Sequence, residues 1–191
     1  VASLAEAVAG LGGADALVNS AGLGQPRQAR IPDVPLDEWN HVLSVNLTGP
    51  MLTTKHLAPQ MIAKGGGAVV NVGSLGGTLP RLGRAAYCTA KAGLAHLTRC
   101  QALELAEHGI RVNATTPAAT LTPMLEAGLT RDGVDVHDRV RGNLALFRPR
   151  FPLGRVSDIA EQAAPIVFLA SAAASFVTGQ VLSVDGGVGM L

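Results

Sequence analysis

Four short runs rich in apolar and β-branched residues constrain this chain most: DALVN (15–19), GAVVNV (67–72), IRVNA (110–114) and GQVLSVD (179–185). They are nearly continuous in hydrophobicity rather than alternating, so each reads as a strand covered on both faces. Helical patterns at 3–11, 36–63, 85–108 and 157–171 lie before and between them. Strands of this kind alternating with helices predict an α/β fold with a parallel sheet. Of 191 residues, 48% are hydrophobic and 15% charged. That is enough apolar material for one large core and a single domain over 1–191. Aromatics make up only 3%, and the abundant alanine and glycine suit close helix–sheet contact.

Several boundaries carry local chemistry. Pro35 followed by Asp37 and Glu38 suits a helix N-terminus, and Gly109 suits the C′ position of the third helical pattern. Ser157 is the expected N-cap of the last helix, with Ala160 where a capping box would place Glu. From Pro123 to Pro152 the periodicity breaks down over five arginines and six prolines or glycines. A mobile loop shaping the substrate site is expected at 123–152. Its arginines could meet an acidic substrate, but they read first as solvated.

A net charge of +1 gives no electrostatic case for nucleic acid or an anionic membrane surface. No apolar run reaches the length of a spanning helix, and no basic leader opens the chain, so a cytoplasmic protein is expected. His41, His56, His96, His108 and His137 show no ligand spacing, so no metal is expected. Cys88 and Cys100 fall on one helical pattern at about 18 Å, too far apart to pair. Trp39 reads as a packing anchor.

The one tyrosine, Tyr87, stands four residues before Lys91, so the two share a helix face. A phenol is a poor base at neutral pH, and a neighbouring ammonium is expected to lower its pKa into a working range. Ser74 follows the strand 67–72, at the carboxyl edge where open α/β sheets bind ligands. Taken alone, Ser74 between glycines reads as a turn residue, and Asn46 as an ordinary helix asparagine.

Together with NSAG (19–22), SVNLTGP (44–50), GSLGG (73–77), YCTAK (87–91) and IRVNATTPAATLTPM (110–124), these residues resemble the short-chain dehydrogenase/reductase family, in order and spacing. The resemblance spans essentially the whole chain and is weakest over 125–150. It implies a Rossmann-like doubly wound sheet and an oxidoreductase interconverting a secondary alcohol and a ketone with NAD or NADP. It also implies a small-molecule alcohol or ketone substrate and a homodimer or homotetramer. By the same resemblance Tyr87 is the catalytic acid/base and Ser74 orients the reacting oxygen. Lys91 tunes Tyr87 and meets the nicotinamide ribose, while Asn46 holds a water that relays protons. Asn19, Ala21 and Gly22 line the cofactor cleft. Pro117, Ala118, Thr120 and Thr122 contact the nicotinamide, with Thr122 supplying a hydroxyl.

Departures from the family pattern carry further expectations. Ser20 stands where a second asparagine is usual, and Ala118 where glycine is usual, which would strain Ala118 if its φ were positive. The family's first two strands, with the glycine-rich T-G-x-x-x-G-x-G loop, have no counterpart. AGLGQPR (21–27) lacks a third glycine and an apolar helix, so it is no phosphate loop. The sheet is therefore expected to be N-terminally incomplete, with an exposed strand edge. The alternative to an enzyme is a shortened, inactive chain that keeps the fold for assembly or binding.

Overall fold

A computed structural model describes residues 1–190. Among these, four strands, β1 (Ala16–Asn19), β2 (Gly67–Val72), β3 (Ile110–Pro117) and β4 (Val181–Val184), form one parallel sheet in the order β1-β2-β3-β4. The register sets Asn19 beside Asn71 and Asn71 beside Ala114. Because every strand runs the same way, their carboxyl ends share one edge of the sheet.

Helices α1 (Ala2–Gly10), α3 (Gly49–Ala63) and α4 (Ala85–Leu105) lie on one face. There Met61, Val69, Ala102, Ile110 and Val112 form a buried cluster. Strand side chains alternate between faces, so Arg111 points the other way from Ile110 and Val112. It donates to the carbonyl oxygens of Leu169 and Ser171 at 2.8 and 3.0 Å, tying down the C-terminal end of α7 (Ile159–Ala170). On the edge strand β1, Val18 is 43% exposed.

One long helix was expected at 36–63. It is divided into α2 (Leu36–Leu43), a π-helical turn (Ser44–Thr48) and α3. Pro50 has no N–H to give the Asn46 carbonyl, so the α-helical ladder cannot run through this point, and Gly49 N–H bonds back to Ser44 instead. Trp39 packs on the Val42, Ala86 and Ala90 cluster, as a packing anchor should.

The stretch expected to be irregular contains α5 (Pro123–Asp132) and α6 (Val136–Arg141). Thr122 caps α5 by accepting the Leu125 N–H at 3.2 Å, Pro123 takes its first position, and Gly133 closes it with φ 64°. Asp135 and Asp138 form a capping box for α6. These short, weakly amphipathic helices are held by their caps, which a search for hydrophobic periodicity passes over. The N-cap of α7 is Asp158 rather than Ser157. One residue later in register, the box partner becomes Glu161, whose carboxylate accepts the Asp158 N–H at 2.9 Å.

Candidate active site

Strand β2 ends at Val72, and the chain turns through Ser74 into a 3-10 turn (Leu75–Gly77) that packs on α4. Ser74 Oγ accepts the Gly76 N–H at 3.1 Å, so the turn fixes the hydroxyl. A Cβ on Gly76 would lie 3.4 Å from Ser74 Oγ and 3.5 Å from Tyr87 Cε1, so the two side chains flank the same glycine. Gly77 is required here, since a Cβ at this position would lie 2.8 Å from the Lys91 backbone. The turn therefore presses directly onto the helix that carries Tyr87 and Lys91.

Lys91 is 6% exposed and donates from Nζ to the Val72 carbonyl oxygen at 2.8 Å. Burial lowers its pKa to about 8. Its ammonium lies 5.9 Å from the centre of the Tyr87 ring. Asn46, fully buried in the π-turn, donates to the carbonyl oxygens of Leu23 and Val42 at 2.9 and 3.0 Å. Its Oδ1 has no partner. A Cβ on Gly22 would stand 2.9 Å from that Oδ1 and 3.6 Å from Lys91 Nζ. Gly22, Asn46 and Lys91 thus surround one small space, which only a residue without a side chain leaves open. The π-turn carries Asn46 into it, a common use of such bulges.

One electrostatic expectation is corrected. Tyr87 titrates above the ordinary tyrosine value, because burial disfavours the phenolate more than its neighbours favour it. The nearby Ser74 hydroxyl pulls the pKa back down, and the charges of Arg81 and Arg84 assist. The cationic influence on the phenol therefore comes mainly from two arginines before α4, and Lys91 is not its main source.

The remaining predicted residues follow the carboxyl edge. Asn19 ends β1, and its side chain donates to Asn71 Oδ1 at 2.8 Å and accepts from Thr53 Oγ1 at 2.6 Å. Asn71 donates in turn to Thr98 and Gln101 on α4, at 3.0 and 3.2 Å. This buried hub, which the sequence reading did not single out, ties the sheet to α3 and α4. Ala21 and Gly22 follow β1, and Pro117 ends β3. Ala118 is not strained, since Phe147 alone among the described non-glycine residues has positive φ. The Thr122 hydroxyl caps α5 and donates to the Thr120 carbonyl at 3.2 Å, so it is engaged within the protein. Thr120 pairs with Ser157 through their hydroxyls at 2.9 Å.

A cleft of about 580 Å³ lies elsewhere, at the end of β4 between Phe151, Leu153, Gln162, Val184 and Met190. No group of three or more His, Cys, Asp or Glu side chains able to hold a metal occurs among the described residues. No helix among them is long and apolar enough to cross a membrane.

A parallel sheet packed between helices, with its strand ends along one edge, places the chain in the Rossmann-like class of α/β proteins. The family described as Enoyl-(Acyl carrier protein) reductase matches residues 1–189. The chain is 43% identical over 181 residues to the cis-4-hydroxycyclohexanecarboxylate dehydrogenase of Sinomonas cyclohexanicum, covering 95% of this chain and 68% of that protein. It is 39% identical over 174 residues to a 3-oxoacyl-[acyl-carrier-protein] reductase of Thermotoga maritima, covering 91% and 65%. A putative NAD(P) dependent gluconate 5-dehydrogenase from Beutenbergia cavernae, solved with bound NADP, superposes with a TM-score of 0.85 at 35% identity, covering 97% and 70%. The chain belongs to the short-chain dehydrogenase/reductase family. It spans about two thirds of the length of the two curated relatives.

Proposed function

We propose that the protein containing this chain is an NAD- or NADP-dependent dehydrogenase that interconverts a secondary alcohol and a ketone. The relatives' names support the reaction class, and the neighbour's bound NADP supports the cofactor. The observation that carries the reading is that Ser74 Oγ and the Tyr87 ring flank Gly76 while the buried Lys91 ammonium, held by Val72, lies 5.9 Å from the centre of that ring.

The residues present fit the nicotinamide end of such a cofactor. Lys91 has two N–H donors beyond the one given to Val72, and the space kept open by Gly22 adjoins them. When bound, the nicotinamide supplies the hydride acceptor or donor. Ser74 Oγ hydrogen-bonds the reacting oxygen and sets its position. Tyr87, held as the neutral phenol by its raised pKa, gives its proton to that oxygen during ketone reduction. Alcohol oxidation, in which it must take the proton, is favoured as pH rises. Lys91, whose pKa of about 8 lies near working pH, is suited to pass the proton onward. The unpartnered Asn46 Oδ1 is placed to hold a water for that relay.

The lengths of the relatives and the exposed Val18 on β1 support a further reading. In the longer protein, additional parallel strands with a glycine-rich loop extend the sheet beyond β1 and bind the cofactor's pyrophosphate. Exposed apolar side chains on α4, on α7 and just after it, Leu103, Val167, Phe168 and Phe176, support a homodimer or homotetramer, and the protein is read as cytoplasmic. The test is turnover by the full-length protein. NAD+ or NADP+ reduction with a panel of secondary alcohols should be lost by at least about a thousandfold in Tyr87→Phe. Turnover preserved in that variant would overturn the mechanism.

A further inference from the structure

Five arginines cluster near Tyr87, three of them around one carboxylate. Asp132, at the end of α5, lies 3.1 Å from Arg131 Nε, 3.5 Å from Arg84 Nη2 and 3.8 Å from Arg148 Nη2. Burial works against its charge, but hydrogen bonds from Arg131 and Gln28 and the charges of Arg131 and Arg84 hold its pKa below the ordinary carboxylate value. Asp132 is thus a stable anion, yet it balances only one of five guanidiniums.

Among the described residues, Arg81 and Arg139 have no carboxylate within 4 Å. Arg139 Nε is buried and donates to nothing. Burial, then the charges of Arg81, Arg148 and Arg84, pull its pKa down to about 9, so it is still a cation at neutral pH. Among the described residues, Asp132 is the only anion acting on this half-buried guanidinium, which shares it with the other arginines, and a buried donor without a partner calls for an explanation.

The cluster faces a cavity of about 30 Å³ lined by Leu75, Leu79, Arg81, Arg139, Phe147 and Arg148. That is room for about one or two water-sized groups, close to the footprint of a carboxylate. Leu75 adjoins Ser74, and the charge of Arg81 bears on the Tyr87 phenol, so the cavity borders the proposed reaction centre.

The loop bringing Arg148 here is specifically built. Asn143 and Arg148 exchange backbone hydrogen bonds at 2.8 and 2.9 Å. Gly142 has φ 75°, and a Cβ there would lie 2.6 Å from the Arg148 carbonyl oxygen. Phe147 adopts φ 52°, an uncommon conformation for an aromatic residue.

We propose that Arg81, Arg139 and Arg148 bind a carboxylate of the substrate, so that the substrates are hydroxy acids and the corresponding oxo acids. This rests on the dehydrogenase reading above and adds the substrate class to it. Guanidinium–carboxylate pairs have the planar, two-pronged geometry such a site needs. The carboxylate supplies the counter-charge the cluster lacks, and it anchors the far end of a substrate whose hydroxyl reaches Ser74 and Tyr87.

Calorimetric titration of the full-length protein tests this with cyclohexanecarboxylate, cyclohexanecarboxamide and inorganic phosphate. Charged hydrogen bonds of this kind predict about 30-fold tighter binding of the acid than of the amide. Arg139→Gln should weaken the acid at least about tenfold and leave the amide unchanged, with partial recovery in Arg139→Lys. Equal binding of acid and amide, or binding of neither, overturns the proposal. Phosphate competing as well as the acid overturns the carboxylate assignment. The wild-type comparison decides the matter even if a variant fails to fold. Binding is read without turnover, and Tyr87→Phe should keep the acid preference. An intact preference with no dehydrogenase activity would therefore sink the proposed reaction alone, and activity without the preference would sink only the carboxylate site.

Discussion

Lys91 Nζ is held by the Val72 carbonyl oxygen at 2.8 Å, and this contact joins the end of the central strand β2 to the helix bearing Tyr87. The cation is kept where water scarcely reaches it. Its cost, and the space it shares with Asn46 and Gly22, lead to measurable consequences.

Folding depresses the Lys91 pKa from 10.5 to about 8. Below pH 8 both folded and unfolded chains carry the proton, and the folded state bears the full desolvation penalty, on the order of 3 kcal/mol. Between about pH 8 and 10.5 the unfolded chain binds more protons, so this penalty is relieved as pH rises. Lys91→Met, which removes the charge, should be more stable than wild type at pH 7, with the difference shrinking towards pH 10. Urea unfolding at a series of pH values measures it, and a pH-independent difference would contradict the assignment.

The Ser74 hydroxyl is the strongest influence favouring the Tyr87 phenolate against burial. Ser74→Ala should therefore move the tyrosine titration to higher pH. Tyr87 is the only tyrosine among the 191 residues, so phenolate absorbance near ~295 nm follows it directly in this chain. A titration curve that does not move would separate the two side chains.

Gly22 admits no side chain without displacing Asn46, whose Oδ1 would lie 2.9 Å from the new Cβ. Gly22→Ala should lower kcat by about tenfold or more through a misplaced relay, while costing only about 1–3 kcal/mol in stability. Steady-state kinetics with parallel thermal melts separate the two effects.

Asn71 is fully buried and bonded to Asn19, Thr98 and Gln101. Asn71→Leu keeps a similar volume but strands polar groups on β1 and α4. A loss of about 3 kcal/mol follows, or roughly 6–12 °C in Tm for a domain this size. Melting within about 1 °C of wild type would show that the network is not cooperative.

How much could be read from the chain depends on how far apart the interacting residues lie along it. The strands 67–72 and 110–114 and the helix 85–108 were legible because their apolar patterns are local. The Tyr87–Lys91 pairing needed only helical geometry. Ser74 and Asn46 were legible through the family's ordered motifs, whereas the π-turn that delivers Asn46 depends on Pro50 interrupting a ladder that apolar periodicity does not register. The helices α5 and α6 were missed although their caps, Thr122-Pro123 and Asp135 with Asp138, were present in the sequence.

The sequence by itself determined the alternation of strands and helices, the family and the residues at the carboxyl edge. These follow from periodicity, capping and motif order, which act between near neighbours. Only the tertiary structure decided the electrostatics. Burial raised the Tyr87 pKa where the adjacent lysine alone suggested the reverse. Folding also brought Arg81 and Arg84 against Arg131, Arg139 and Arg148 from a distant part of the chain. Desolvation and Coulomb interaction depend on distance in space, and that distance is set by how the residues 81–84, just before α4, meet the segment 123–152.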